Sequence, residues 1–183
     1  MARQVLFVQG AGEDVHDCWD SKLVVSLERE LGEGYSIRYP RMPNEADPRF
    51  SAWKAALAME CAALKDGAIL VGHSFGGTVL IHAIAELRPK PRFGGLIVVA
   101  APFIGEGGWP SDDFDDCRAL SGHLLPDIPV YLYHGTADQE VPVAHVDLYA
   151  KTIPRAVVRT FESRDHQFNN DMSDVARDIR SMG

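Results

Sequence analysis

The chain is short of basic residues, of cysteines and of long apolar runs, and each shortage excludes a class of protein. Lys+Arg number 18 against 26 Asp+Glu, a formal net charge of −8. That balance argues against nucleic acid as a partner, because phosphate binding needs a basic face. The longest unbroken apolar run covers only 96–101, far short of the roughly 20 residues that cross a bilayer, so no membrane association is expected. Near the N-terminus, Val5-Leu6-Phe7-Val8 is too short for a signal-peptide core and reads as a first buried strand. Cys18, Cys61 and Cys117 are an odd number, far apart and without CxxC spacing. They read as reduced thiols of a cytoplasmic protein, not as a disulfide framework or a zinc site.

The rest of the composition is ordinary: 46% hydrophobic and 24% charged residues, which fits a soluble globular protein and excludes intrinsic disorder. A length of 183 residues fits one domain, 1–183, able to bury about 70% of the unfolded chain's surface without disulfide or metal staples. No repeat or low-complexity tract interrupts it.

Strand-like and helix-like patterns alternate from end to end. Strands are predicted at 5–8, 36–39, 68–71, 95–100, 130–133 and 157–161, mostly continuous apolar runs of the kind that helices cover on both faces. Between them, Trp19, Leu23, Leu27 and Leu31 make one helical stripe, and Trp53, Leu57, Cys61 and Leu64 another. Met172, Val175, Ala176 and Ile179 mark a last helix, with Asn169 or Asn170 as its cap. The segment 77–87 is apolar almost all round and should be the most buried helix. The expected fold is therefore α/β, a three-layer α/β/α sandwich on a six-stranded parallel sheet. Two stretches break the alternation: a Pro-rich loop at 40–50, and an excursion at 105–127 carrying Trp109, Phe114 and the acidic residues Asp112, Asp113, Asp115 and Asp116. Ser111 before two aspartates could start a short helix there. The acidic cluster lacks the spacing of a calcium loop and reads as a solvated face, while consecutive His16-Asp17-Cys18 diverge too much to share a metal. No metal and no cofactor are expected.

The decisive segment is Gly72-His73-Ser74-Phe75-Gly76, a G-x-S-x-G pattern between an apolar strand and an apolar helix. By chance alone the pattern turns up in roughly 0.06 of chains this long, so its strand–turn–helix setting carries the argument. A serine hydroxyl attacks a carbonyl well only when it projects from a tight turn, flanked by residues small enough to let backbone segments close on one another. It also needs a base, and a third group to orient that base. In such folds these follow in the order Ser, acid, His, each beyond a strand end. Asp138 follows the strand at 130–133, and His166 follows the strand at 157–161. Glu140 and Asp165 are the substitutes for Asp138. Of the other histidines, His82 reads as a core residue, His73 as too close to Ser74 along the chain, and His134 as support for the acid loop. His16 and His123 sit on loops that could approach the site. For the oxyanion, the Phe75 amide pairs with an amide of the loop Gln9-Gly10-Ala11-Gly12, Ala11 being the natural donor.

These residues resemble the α/β-hydrolase superfamily, and within it the small lid-less serine hydrolases of the YdeN and retinoblastoma-binding-protein type. The likeness covers nearly the whole chain: Gln9-Gly10-Ala11 with Trp19 beyond it, Met42-Pro43-Asn44 followed by Trp53, the elbow, 94–99, Asp138-Gln139-Glu140-Val141-Pro142 and His166-Gln167-Phe168. It implies a catalytic triad of Ser74, Asp138 and His166, in agreement with the reading above. Gln9 departs from the His that many relatives carry before the oxyanion glycine. The excursion at 105–127 is too short for a lid domain, which implies an open site. Trp109 and Phe114 either line that site or simply anchor the excursion.

The leading expectation is a cofactor-independent serine esterase acting on a small-molecule carboxylic ester, with activity falling on acidification through roughly pH 6–7 as a histidine base protonates. A thioesterase or peptidase using the same triad, a lyase or carbon–carbon hydrolase, and a non-catalytic partner-binding module of the same fold are the alternatives.

Overall fold

A computed structural model describes residues 2–114, 120 and 128–182. Asp115, Asp116, Cys117 and His123, with most of the second half of the excursion, lie outside the described residues.

The strands are β1 (Arg3–Val8), β2 (Tyr35–Arg38), β3 (Ile69–His73), β4 (Gly95–Val99), β5 (Val130–Gly135) and β6 (Val157–Phe161). They form one all-parallel sheet in the order β2-β1-β3-β4-β5-β6. Side chains alternate across a strand, and each of the four inner strands serves two cores. Leu6, Val8, Leu70, Leu96, Val98 and Leu132 face one, built with α2 (Phe50–Ala62), α3 (Phe75–Leu87) and α4 (Ala144–Thr152). Val5, Phe7, Ile69, Val71, Ile97 and Val99 face the other, built with α1 (Ser21–Leu31) and α5 (Ser173–Ser181). The result is the expected three-layer sandwich. Among the described residues no helix is long and apolar enough to cross a membrane.

The chain runs outward from β1 to β2 and then returns past β1 to β3. At such a reversal the loops leaving the two central strands diverge to opposite faces and open a crevice at the strands' carboxyl ends. The loop Gly10–Gly12 and Ser74 are therefore brought together by topology alone.

Several local expectations need correction. β3 and β5 run two residues further than the apolar pattern indicates, because Gly72 and His73 pair with Val8 and Val99, and His134 and Gly135 pair with Thr160 and Phe161. β6 is a sheet edge and leaves Val157 to Thr160 exposed, so its apolar run does not mean burial. Trp19 is 51% exposed and off the stripe that Leu23, Leu27 and Leu31 bury. It belongs to a π-helical segment, Val15–Asp20, whose wider turn breaks the four-residue register before α1 begins. Asn169 and Asn170 do not cap α5; they sit in left-handed conformation in a short 3₁₀ turn, and the Asp171 carboxylate accepts the Ser173 amide at the helix start. No helix starts at Ser111 among the described residues. Its hydroxyl accepts the Asp113 amide, and the Asp113 carboxylate accepts the Phe50 amide at the N-terminus of α2, 2.5 Å away.

Candidate active site

Ser74 stands between β3 and α3 with φ 51° and ψ −129°, a strained conformation for a residue with a side chain, costing on the order of 1–3 kcal/mol. The surroundings enforce it. The Ser74 amide donates to the Val99 carbonyl (2.8 Å), and its carbonyl accepts the Gly77 amide (2.9 Å). Closure of the turn is possible only because two side chains are missing. A Cβ on Gly72 would come within 2.6 Å of Gly77 Cα, and one on Gly76 within 2.1 Å of the Gln9 carbonyl oxygen. The spacing of the motif is thus a packing requirement of this turn.

The Ser74 hydroxyl lies 3.0 Å from His166 Nε2, and His166 Nδ1 lies 2.8 Å from Asp138 Oδ2. His166 is 8% exposed, and the Asp138 side chain is fully covered. The β5–α4 loop supplies the acid's remaining partners: the Glu140 and Val141 amides donate to Oδ1, each at 2.9 Å. His134 Nε2 lies 3.2 Å from Oδ2 and 2.9 Å from the Val141 carbonyl. Burial works against charge on Asp138. Hydrogen bonds from His134, His166 and the Val141 amide outweigh it and hold the carboxyl far below the usual carboxylate range. Asp138 is therefore an ionised acceptor that fixes the His166 ring. Arg164 ties down the loop bearing His166, donating to the Phe168 and Asp171 carbonyls and to the Asp171 and Asp174 carboxylates.

Opposite the elbow, the Gly12 amide donates to the Glu45 carbonyl (2.7 Å). Buried Gln9 accepts the Met42 amide and donates to the Glu45 carboxylate. Gln9 thus clamps the first loop onto the loop before α2. The amides of Ala11 and Phe75 have no acceptor among the described residues, so both are available to a bound group.

A cavity of about 250 Å³ opens here, lined by Gly10, Ala11, Gly12, Val15, Trp19, His73, Ser74, Glu140, His166 and Gln167. Glu140 Oε2 lies 3.9 Å from His166 Nε2 on a side chain 73% exposed. Trp109 and Phe114, offered as substrate contacts, are not among the lining residues. Trp109 packs against His145, and Phe114 sits in an aromatic group with Phe50, Phe75 and His82; both anchor their segment. Trp19 is the aromatic that reaches the cavity, and the π-helical turn that moved it off the α1 stripe put it there. His16 stacks on Tyr39 and bonds to Asp17, away from Ser74. His82 is a core residue as expected.

Two residues of this region gave no usable signal in the sequence. His73 was set aside because it adjoins Ser74, and Asp20 carries no motif. Both are buried, His73 in the lining of the cavity and Asp20 bonded to it.

Comparison with known proteins places the fold. The model of the α/β hydrolase family matches residues 5–179, and the chain belongs to that family. No curated protein sequence matches it. Among solved structures, the ydeN gene product of B. subtilis superposes with a TM-score of 0.78 at 19% identity, over 99% of this chain and 98% of that one. Est1E of Butyrivibrio proteoclasticus gives 0.70 at 17% identity, over 98% and 86%. XC6422 of Xanthomonas campestris, described as an a/b serine hydrolase without lid, gives 0.63 at 19% identity, over 100% and 82%. The fold is that of a small lid-less α/β hydrolase.

Proposed function

We propose that this α/β hydrolase is a serine esterase acting on small carboxylic esters, with Ser74 as nucleophile, His166 as general base and Asp138 as its orienting carboxylate. The observation that carries the reading is the unbroken hydrogen-bond chain from Ser74 Oγ through both His166 nitrogens to Asp138, at 3.0 and 2.8 Å. Ser74 Oγ attacks the ester carbonyl as His166 Nε2 takes its proton, and the oxyanion is held by the Ala11 and Phe75 amides. His166 then returns the proton to the leaving alkoxide, the C–O bond breaks, and an acyl group remains on Ser74. Water, deprotonated by the same nitrogen, attacks the acyl carbon; the bond to Ser74 Oγ breaks as His166 returns the proton to Oγ, and the carboxylic acid leaves. Asp138 stays ionised throughout and stabilises the imidazolium formed in each half-reaction.

The cavity supports a small substrate, since about 250 Å³ lies below the usual 300–1,000 Å³ of ligand sites. The free thiols Cys18 and Cys61 accord with a reducing, cytoplasmic location. A series of p-nitrophenyl esters of increasing acyl length tests the reading. The expected result is hydrolysis that is fastest for short acyl groups and lost in Ser74→Ala. Full activity in that variant would refute the nucleophile, and cleavage of thioesters or peptides in place of every ester would move the substrate class.

A further inference from the structure

At the floor of the cavity, with His73 in its lining and Asp20 beneath, lies a second Asp–His pair that ester hydrolysis as described leaves unused. Asp20 ends the π-helical segment and His73 ends β3, and they are 0% and 1% exposed. His73 Nδ1 lies 3.0 Å from Asp20 Oδ2 and 2.9 Å from Oδ1. Its Nε2 lies 2.9 Å from the main-chain carbonyl oxygen of His166. A carboxylate and a carbonyl can only accept, so both ring nitrogens carry hydrogen and His73 is a buried imidazolium, its charge matched by Asp20.

Asp20 reaches further. Its Oδ2 accepts the Gly10 amide at 2.7 Å, and the Gln167 side chain helps to keep its carboxyl ionised. Gly10 is packed so closely here that a Cβ on it would stand 3.1 Å from Ser74 Cβ. The pair thus touches all three segments that carry the proposed reacting groups. Gly10 precedes Ala11, His73 precedes Ser74, and the bonded carbonyl belongs to His166 itself. Stability alone is a poor reason for such a pair, because well-packed apolar residues often stabilise a core as well or better than a buried ion pair does.

We propose that the buried Asp20–His73 ion pair is the positioning device of the site, holding the Gly10–Ala11 loop and the His166 loop at fixed distances from Ser74. This rests on the reading of Ser74 and His166 as reacting groups. The His73 ring packs against that of His166, but the pair's hydrogen bonds go to the Gly10 amide and the His166 carbonyl and not to Ser74 Oγ or the His166 ring, so both members act through the residues they hold. The titratable groups facing His73 are Asp20, Asp138 and His166, the last with its ring centroid 5.0 Å away. Burial opposes the charge on His73, and Asp20 more than offsets it, with help from the His166 carbonyl and Asp138, so the proton is held more tightly than by an ordinary histidine.

Three variants separate positioning from simple loss of packing. Asp20→Asn keeps an acceptor for the Gly10 amide but removes the charge. His73→Gln keeps a side-chain N–H directed at the His166 carbonyl. His73→Leu keeps only volume. The readouts are the rate at which a fluorophosphonate probe labels Ser74, kcat and KM for p-nitrophenyl acetate, and the ¹⁵N spectrum of histidine-labelled wild-type protein. Asp20→Asn and His73→Leu are expected to lower kcat and labelling by ~10²-fold, with KM kept within about threefold. His73→Gln, which keeps the bond to the His166 carbonyl but not the charge that matches Asp20, should fall between His73→Leu and the wild type. In the wild type, both His73 nitrogens should resonate as protonated across about pH 5–8, where an unperturbed imidazole loses its proton. Folded Asp20→Asn and His73→Leu proteins that label at the wild-type rate would overturn the proposal, as would a wild-type His73 with one bare nitrogen. The spectrum needs no variant, so it decides even where a substitution prevents folding. Wild-type protein that takes no probe would instead defeat the reading of Ser74 as nucleophile, and the positioning role with it.

Discussion

The two Asp–His pairs of this site are built alike and placed in opposite surroundings. In each, a carboxylate faces Nδ1 at 2.8–3.0 Å and Nε2 meets an oxygen at 2.9–3.0 Å. For His166 that oxygen is the Ser74 hydroxyl at the cavity wall, a group that can give up its proton. For His73 it is a backbone carbonyl in the interior, which can only accept. On the proposed reading the first imidazole passes a proton to and from Ser74, while the second keeps both of its protons. What separates a proton carrier from a structural cation here is the partner of Nε2, and not the carboxylate.

Breaking the first pair should have the larger effect. Asp138→Asn leaves the ring in place but removes the acceptor that fixes its tautomer and balances the imidazolium. Steady-state assays should show kcat reduced by about 10⁴-fold. The same substitution should register in stability as a function of pH. A carboxyl titrates near pH ~4 in the unfolded chain, and Asp138 titrates well below that in the fold. Its stabilising contribution is thus present above about pH 4 and is lost only as pH falls toward the folded value. Denaturant titrations should find the wild type more stable than Asp138→Asn at pH 5, with the gap closing below about pH 4. A gap that widened on acidification would mean that Asp138 is neutral in the folded protein.

Breaking the second pair should cost less, the ~10²-fold loss given above for Asp20→Asn, because geometry suffers while the chemistry survives. A loss as large as that of Asp138→Asn would erase the distinction between the pairs. The smallest effect belongs to Glu140, 3.9 Å from His166 Nε2 and 73% exposed. A water-screened charge of this kind is worth at most ~1 kcal/mol. Glu140→Gln should therefore raise kcat/KM for an anionic ester such as p-nitrophenyl hemisuccinate only two- to fivefold relative to a neutral one, by about that energy. An unchanged ratio would remove Glu140 from substrate selection.

The first pair was legible in the sequence and the second was not, for physical reasons. Ser74 announces itself because the turn cannot close without Gly72 and Gly76, and that demand is written at fixed spacing. Asp138 and His166 follow because the parallel sheet sends every strand's carboxyl end to the same edge. Asp20 and His73 lie 53 residues apart, and their pairing depends on how the π-helical segment meets the end of β3. That segment also misled the reading of Trp19: an apolar stripe counted every four residues presumes an α-helical turn that the chain does not make there. Trp109 and Phe114 carried no direction in the sequence, since an aromatic in a long excursion anchors or lines a site with equal ease. The sheet, its six strands and its two buried faces followed from the alternation of patterns. The exposure of β6 did not, because a covered strand and an edge strand can share one composition.

The central claim, that Ser74 is a nucleophile activated through His166, is tested most directly by treating the protein with a fluorophosphonate probe and locating the adduct by peptide mass spectrometry. The account predicts one adduct, on the peptide containing Ser74, absent in Ser74→Ala and formed at least 10²-fold more slowly, on the order of what a lost base costs, in His166→Ala. An adduct elsewhere, or one on Ser74 that forms as fast without His166, would contradict it.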